Sequence, residues 1–95
     1  MTDRHVHVRI SGKVQGVWYR AWTEQTAREH GLTGWVRNCA DGSVEAVFSG
    51  LSSAVDSMLA ACREGPPLAR VSRVEAADCD APAVNGFEVR RDGAP

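Results

Sequence analysis

The residues best suited to do chemistry fall in two short segments. The first is Gly12-Lys13-Val14-Gln15-Gly16-Val17-Trp18-Tyr19-Arg20. Its glycines interrupt an alternating pattern and precede a helical one, so a loop should carry the chain from a strand into a helix. Backbone N–H groups at a helix start have no intrahelical acceptor. Together with the helix dipole they favour an anion. Arg20, at the loop's end or in the first helical turn, adds a guanidinium able to contact two oxygens of one phosphoryl group. The spacing is not that of the G-x-x-x-x-G-K-[ST] nucleotide loop. A tight turn carrying a surface arginine fits the spacing equally well.

The second segment is Gly34-Trp35-Val36-Arg37-Asn38, followed by Cys39, Ala40, Asp41, Gly42, Ser43 and Val44, with Gly50 beyond. Asn38 stands at a strand end before a turn. Taken alone, Asn38 reads as a residue that shapes the turn through its side chain.

The elements that must position these segments are readable from periodicity. Val6, Val8 and Ile10 alternate with His5, His7 and Arg9, which predicts a half-buried strand. From about Tyr19 the period is helical, with Tyr19, Trp22, Thr26, Ala27 and His30 on one stripe and Gly31 as the stop. Trp35–Asn38 is a second strand, Asp41-Gly42 a hairpin turn, and Val44, Ala46 and Phe48 mark a third strand. Ser53 and Asp56 resemble a capping box for a second helix, whose buried face is Val55, Met58, Leu59 and Cys62. Gly65-Pro66-Pro67 ends it. Arg70–Ala76 reads as a fourth strand with a bulge, because Val71 and Val74 break strict alternation. Asp78–Asn85 reads as a connection, Phe87 and Val89 as a last short strand, and Arg91–Pro95 as a frayed tail. The order β-α-β-β-α-β plus a short strand predicts a ferredoxin-like α/β sandwich. Two helices would cover one face of a mostly antiparallel sheet.

Composition limits the functional classes. Ninety-five residues make one domain, 1–95, able to bury roughly 60–65% of its unfolded surface. The apolar content of 43% and charged content of 24% are those of a soluble globular chain. Eleven basic and twelve acidic residues give a net charge of −1, which offers no bulk attraction to nucleic acid or anionic membrane. No apolar run approaches a membrane span, and the first residues carry no secretory signal. Cys39, Cys62 and Cys79 form no metal-ligand spacing, and an odd count favours free thiols in a reducing, cytoplasmic compartment. A monomer is the default expectation at this size and charge.

Together the two segments resemble the signatures of the acylphosphatase family. G-x-V-x-G-V-x-[FY]-R matches at Gly12–Arg20, and G-W-V-R-N-x-x-x-G-x-V-x-x-x-x-x-G matches at Gly34–Gly50, both without a gap. The likeness extends to length, element order, Gly65-Pro66 and Phe87-Glu88-Val89-Arg90. It implies hydrolysis of the carboxyl–phosphate bond of small-molecule acyl phosphates, with inorganic phosphate as a product and no cofactor or metal. It implies that Arg20 binds the phosphoryl group and Asn38 orients the attacking water. Main-chain N–H groups of Gln15, Gly16, Val17, Trp18, Tyr19 and Arg20 would complete a phosphate cradle.

Several residues invite other readings. Trp18 is bulkier than is common at its position in the family. It is expected either to wall the site or to be partly buried against the sheet edge. His30 reads as packed at a helix end, Cys39 as a thiol without an activating histidine, Lys13 as a solvated strand end, and Trp22, Met58 and Leu59 as core. The same fold carries RNA-recognition domains, but their paired sheet aromatics are missing from the sequence. A non-catalytic binding or interaction module on this fold is the alternative to an enzyme.

Overall fold

A computed structural model describes residues 3–90. In chain order the elements are β1 (Asp3–Lys13), α1 (Tyr19–Glu29), β2 (Thr33–Asn38), β3 (Val44–Leu51), α2 (Ser52–Glu64), β4 (Arg70–Asp78) and β5 (Phe87–Val89). The strands form one sheet in the order β4-β1-β3-β2-β5. β5 runs parallel to β2, and the other three pairings are antiparallel. This is the ferredoxin-like sandwich that the element order predicts.

Alternation along the strands decides which face is covered. Val6, Val8 and Ile10 of β1, Val36 of β2, and Val44, Ala46 and Phe48 of β3 are fully buried. They meet Tyr19 and Ala27 of α1 and Val55, Met58, Leu59 and Cys62 of α2 in a single core. Each valine, isoleucine, leucine, methionine or phenylalanine among them contributes about 1.5–3 kcal/mol through burial. Phe87 closes the core at the β5 edge by stacking on Phe48, with ring centroids 5.8 Å apart.

Local details depart from the sequence reading in four places. β2 starts at Thr33, two residues early, and β4 continues through Asp78, because both stay in register with their neighbours. The α1 stripe is Tyr19, Thr23 and Ala27, each one helical turn apart, while Trp22, Thr26 and His30 lie on its half-buried flank. Trp22 therefore packs at the core's margin, edge-on to Tyr19 at 5.3 Å. The Ser53–Asp56 capping box does not form. The helix begins at Ser52, so Leu51 holds the cap position without a side-chain bond, and Asp56 pairs with Arg4 of β1 instead. The Arg91–Pro95 tail lies outside the described residues.

The bulge in β4 is present and explains the first glycine of the loop segment. Ser11 pairs with Arg73 but Gly12 pairs with Val71, leaving Ser72 between them. Gly12 has φ +120, and a Cβ there would lie 2.2 Å from the Arg70 carbonyl oxygen. Only glycine lets the two strands approach so closely just before the chain leaves the sheet.

The uncovered sheet face carries a polar network. Glu45 on β3 is 8% exposed and accepts hydrogen bonds from His7 Nε2 at 2.6 Å and Arg37 Nε at 2.5 Å. Burial alone would raise its pKa. The bonds from His7 and Arg37, with the Arg37 charge, outweigh burial and hold the carboxyl below its ordinary value. Arg37 and Arg90 lie over the Trp35 ring at 5.6 and 4.6 Å. No helix among the described residues is long and apolar enough to cross a membrane.

Candidate active site

The loop after β1 descends into the core and rises again before α1. Val14 and Val17 are buried at 1% and 4% exposure and act as its two anchors. Between them Gly16 takes a left-handed backbone with φ +71 and open space where a side chain would be. Gly16 is therefore exposed while Val14 and Val17 on either side of it are pinned below. Trp18 occupies the α1 N-cap position with φ 66 and ψ 21 and caps nothing with its side chain. Among the described residues it is the only non-glycine with positive φ. No acidic side chain occupies the first turn of α1, so its N-terminal amides have no local counter-charge.

Tyr19 is fixed from below. Its hydroxyl donates to the Cys62 carbonyl at 2.7 Å, which ties the start of α1 to α2. Burial, with added effects from Cys62, raises the phenol pKa far above its ordinary value, so it stays protonated. Burial likewise pushes the Cys62 thiol up to about 12 and keeps it inert. The aromatic position of the motif is thus a core anchor.

Arg20 sits in the first turn of α1 and is half-buried. Its guanidinium donates to the Arg90 carbonyl at 3.1 Å, immediately after β5. The parallel edge strand thereby steadies the cation. Arg90 N–H in turn donates to the Val36 carbonyl at 2.8 Å, which joins this segment to β2.

Asn38 is the last residue of β2 and is 9% exposed, on the covered side with Val36. Among the described residues its side-chain amide makes no hydrogen bond to protein. Asp41 shapes the hairpin instead: its carboxylate accepts from the Ser43 hydroxyl at 2.6 Å and the Ser43 N–H at 2.9 Å. Those bonds, led by the hydroxyl, hold the Asp41 carboxyl below its ordinary value.

Arg20 and Asn38 line one cavity of about 530 Å³ with Gly16, Trp18 and Tyr19. Val14 forms its floor, and Ala21, Glu24 and Val89 complete the wall. The structure thus brings together most of the residues singled out in the sequence. Gln15 and Val17 do not line the cavity; Val17 is an anchor. Gln15 instead reaches sideways, and its Nε2 donates to the Cys39 and Ser43 carbonyls at 2.8 Å each. Trp18 is not buried against the sheet edge. It is 78% exposed, because its left-handed backbone turns the side chain away from the core. Val89, in the last short strand as read from the sequence, is 42% exposed and borders the cavity.

Three further residues read earlier are settled by their contacts. His30 donates from Nδ1 to the Thr26 carbonyl at 2.8 Å, which makes it a helix-end residue. The Cys39 thiol lies 4.0 Å from Glu45 Oε1, turned toward the network on the uncovered face. Lys13 is an exposed strand end. Among the described residues, no three His, Cys, Asp or Glu side chains are grouped to hold a metal ion.

The start of α1, the Arg20 guanidinium and the unbonded Asn38 amide thus share one cavity. The acylphosphatase family model matches residues 6–89, which spans the loop, the hairpin and β5. The chain belongs to the acylphosphatase family. An acylphosphatase of Rhodospirillum rubrum is 61% identical over 80 residues, covering 84% of this chain and 88% of the relative. One of Natronomonas pharaonis is 56% identical over 92 residues, covering 96% and 100%. The solved acylphosphatase structure from Coxiella burnetii superposes with a TM-score of 0.89 at 39% identity, covering 93% of both chains. These relatives support an acylphosphatase enzyme and give no support to a non-catalytic module on the same fold.

Proposed function

We propose that this acylphosphatase hydrolyses small acyl phosphates to carboxylate and inorganic phosphate by attack of a single positioned water. The observation that carries the reading is the shared cavity, which Arg20 and Asn38 line together with Gly16, Trp18 and Tyr19 at the start of α1. The phosphoryl oxygens sit against the N–H groups of the Gln15–Arg20 segment and the Arg20 guanidinium. Asn38 holds the water on the side opposite the leaving oxygen. The water oxygen bonds to phosphorus as the bond from phosphorus to the acyl oxygen breaks. The carboxylate leaves with the electron pair, and the water's proton passes to a phosphoryl oxygen.

So sparse a site suits this reaction. The leaving carboxylate has a conjugate-acid pKa of roughly 4 and departs without a general acid. Charge in a loose phosphoryl-transfer transition state is spread over equatorial oxygens, so positioning and fixed dipoles supply most of the catalysis. A metal ion has no assigned part in this scheme.

We also take the working form to be a monomer in a reducing cytoplasm. Its support is the near-neutral net charge and the three cysteines that are free thiols in the fold. The test of the function is turnover of acetyl phosphate with stoichiometric release of phosphate. Inorganic phosphate should inhibit competitively, and chelators should leave the rate unchanged. Loss of activity in a chelator, restored by a divalent ion, would overturn the metal-free scheme.

A further inference from the structure

The cavity has more wall than a phosphoryl group and a water require. In the proposed function, the amides and Arg20 take the phosphoryl oxygens and Asn38 takes the water. The acyl group must then lie along the remaining lining, which is Trp18, Ala21 and Val89 with Glu24 beside them. Glu24 is ion-paired to Arg28 at 3.0 Å, and the apolar part of this lining is Trp18, Ala21 and Val89.

Two independent features of Trp18 need a cause outside folding. Its side chain is 78% exposed, so burying it adds little to stability. Its backbone is left-handed with φ 66, which is rare and strained for a bulky aromatic residue. A glycine would satisfy that backbone at less cost. Only four large apolar side chains are exposed among the described residues: Trp18, Leu51, Leu68 and Val89. Two of the four border this one cavity. The volume of about 530 Å³ also suits a ligand well above the size of acetyl phosphate.

We infer that Trp18 and Val89 form an acyl subsite that selects flat apolar acyl groups, such as aryl ones, over short aliphatic ones. The inference rests on the acyl phosphate reading of the site. A flat acyl group between the exposed indole and Val89 loses water from both sides. The indole face adds a stacking contact that a methyl group cannot match. Because the acyl group stays attached until the transition state, this contact appears in kcat/KM and not only in ground-state binding.

The experiment compares kcat/KM for benzoyl phosphate and acetyl phosphate in the wild type, Trp18→Gly and Val89→Ser. Glycine is chosen because it accepts the left-handed backbone without strain. The wild type should favour benzoyl phosphate. Each substitution should lower the benzoyl-to-acetyl ratio, Trp18→Gly by about tenfold. Comparing the ratio across variants cancels the intrinsic reactivity difference of the two substrates. General loosening of the loop would slow both substrates together and leave the ratio in place, which would overturn the subsite. If Trp18→Gly fails to fold, Val89→Ser decides alone. A wild type that cleaves acetyl phosphate with no preference refutes the subsite and leaves the function standing. A wild type inactive on both substrates refutes the function and the subsite with it.

Discussion

The side-chain amide of Gln15 donates to the carbonyl of Cys39 at 2.8 Å, and also to that of Ser43 at the same distance. These two carbonyls bracket the hairpin that begins just after Asn38, where Cys39 N–H and Ser43 O are themselves joined at 2.8 Å. One side chain thus couples the loop before α1, the proposed anion cradle, to the strand end that carries Asn38. Arg20 is tied in the same manner to the opposite edge through the Arg90 carbonyl. The loop is braced from both sides, as a site relying on geometry alone requires.

Replacing Gln15 by Glu should cut kcat by about 10²-fold, the loss expected for a displacement of about 1 Å. A carboxylate has no proton for either carbonyl and is repelled by both. Inorganic phosphate should still inhibit with nearly the same constant, since the backbone N–H groups remain. A parallel loss of phosphate affinity would show that Gln15 shapes the cradle rather than the distance to Asn38.

Arg20→Ala should nearly abolish turnover while the far-UV circular dichroism stays that of the wild type. It removes the motif's cation from the cavity and its bond to Arg90. Arg20→Lys should also be poor, because an ammonium cannot hold two phosphoryl oxygens in a planar fork and reach the Arg90 carbonyl as well. Steady-state kinetics with acetyl phosphate would measure both. Near wild-type rates in Arg20→Ala would remove Arg20 from the mechanism.

In the proposed function the Asn38 amide serves the water and not the phosphoryl group, so Asn38→Ala should lower kcat by on the order of 10²-fold and barely change phosphate inhibition. The structural observation behind this is the absence of any protein partner for the Asn38 amide among the described residues. Equal losses in kcat and in phosphate affinity would instead make it a binding residue.

Much of this arrangement was legible in the sequence, and the physical reasons differ by residue. Strand alternation exposed the covered sheet face because Val6, Val8 and Ile10 obey a strict period of two. The pair Arg20 and Asn38 stood out because two spaced motifs carry them. The brace from Gln15 was not visible, since a hydrogen bond across 24 residues leaves no local period. The sequence left Trp18 open between walling the site and packing on the sheet edge, because no neighbouring residue signals its left-handed backbone. The failed capping box at Ser53 turned on a helix start shifted by two residues, within what propensity leaves unresolved.

Stability should fall at acid pH through Glu45. Its folded pKa lies below the ordinary value of 4.5. A depressed carboxyl contributes stability that is fully present above the unfolded pKa and is lost as pH falls through the folded one. Glu45→Gln should therefore destabilise the protein at neutral pH by about 1–3 kcal/mol, the worth of hydrogen bonds to a buried charged group. It should also flatten the dependence below about pH 4.5. Urea unfolding at several pH values measures both. An unchanged acid slope in Glu45→Gln would show that the bonds from His7 and Arg37 do not stabilise the fold.

Selectivity should follow the leaving group more than any other part of the substrate. The proposed site holds an anion cradle and a positioned water, and none of its lining residues is placed as a proton donor to the departing oxygen. Glu24 is the carboxylate on the lining, and it is engaged by Arg28 at 3.0 Å. The Tyr19 hydroxyl points the other way, to the Cys62 carbonyl. An acyl phosphate expels a carboxylate, whose conjugate acid has a pKa of roughly 4. A simple alkyl phosphate must expel an alkoxide, whose parent alcohol is about as weak an acid as bulk water, near ~16. That gap of about 12 units must be met by proton donation in the transition state, and the site provides none. Acetyl and benzoyl phosphate should therefore be hydrolysed readily and an alkyl phosphate barely at all. The measurement is kcat/KM for both classes under one set of conditions. Comparable values would mean that a general acid acts at the site, and Glu24→Gln would be the first variant to locate it.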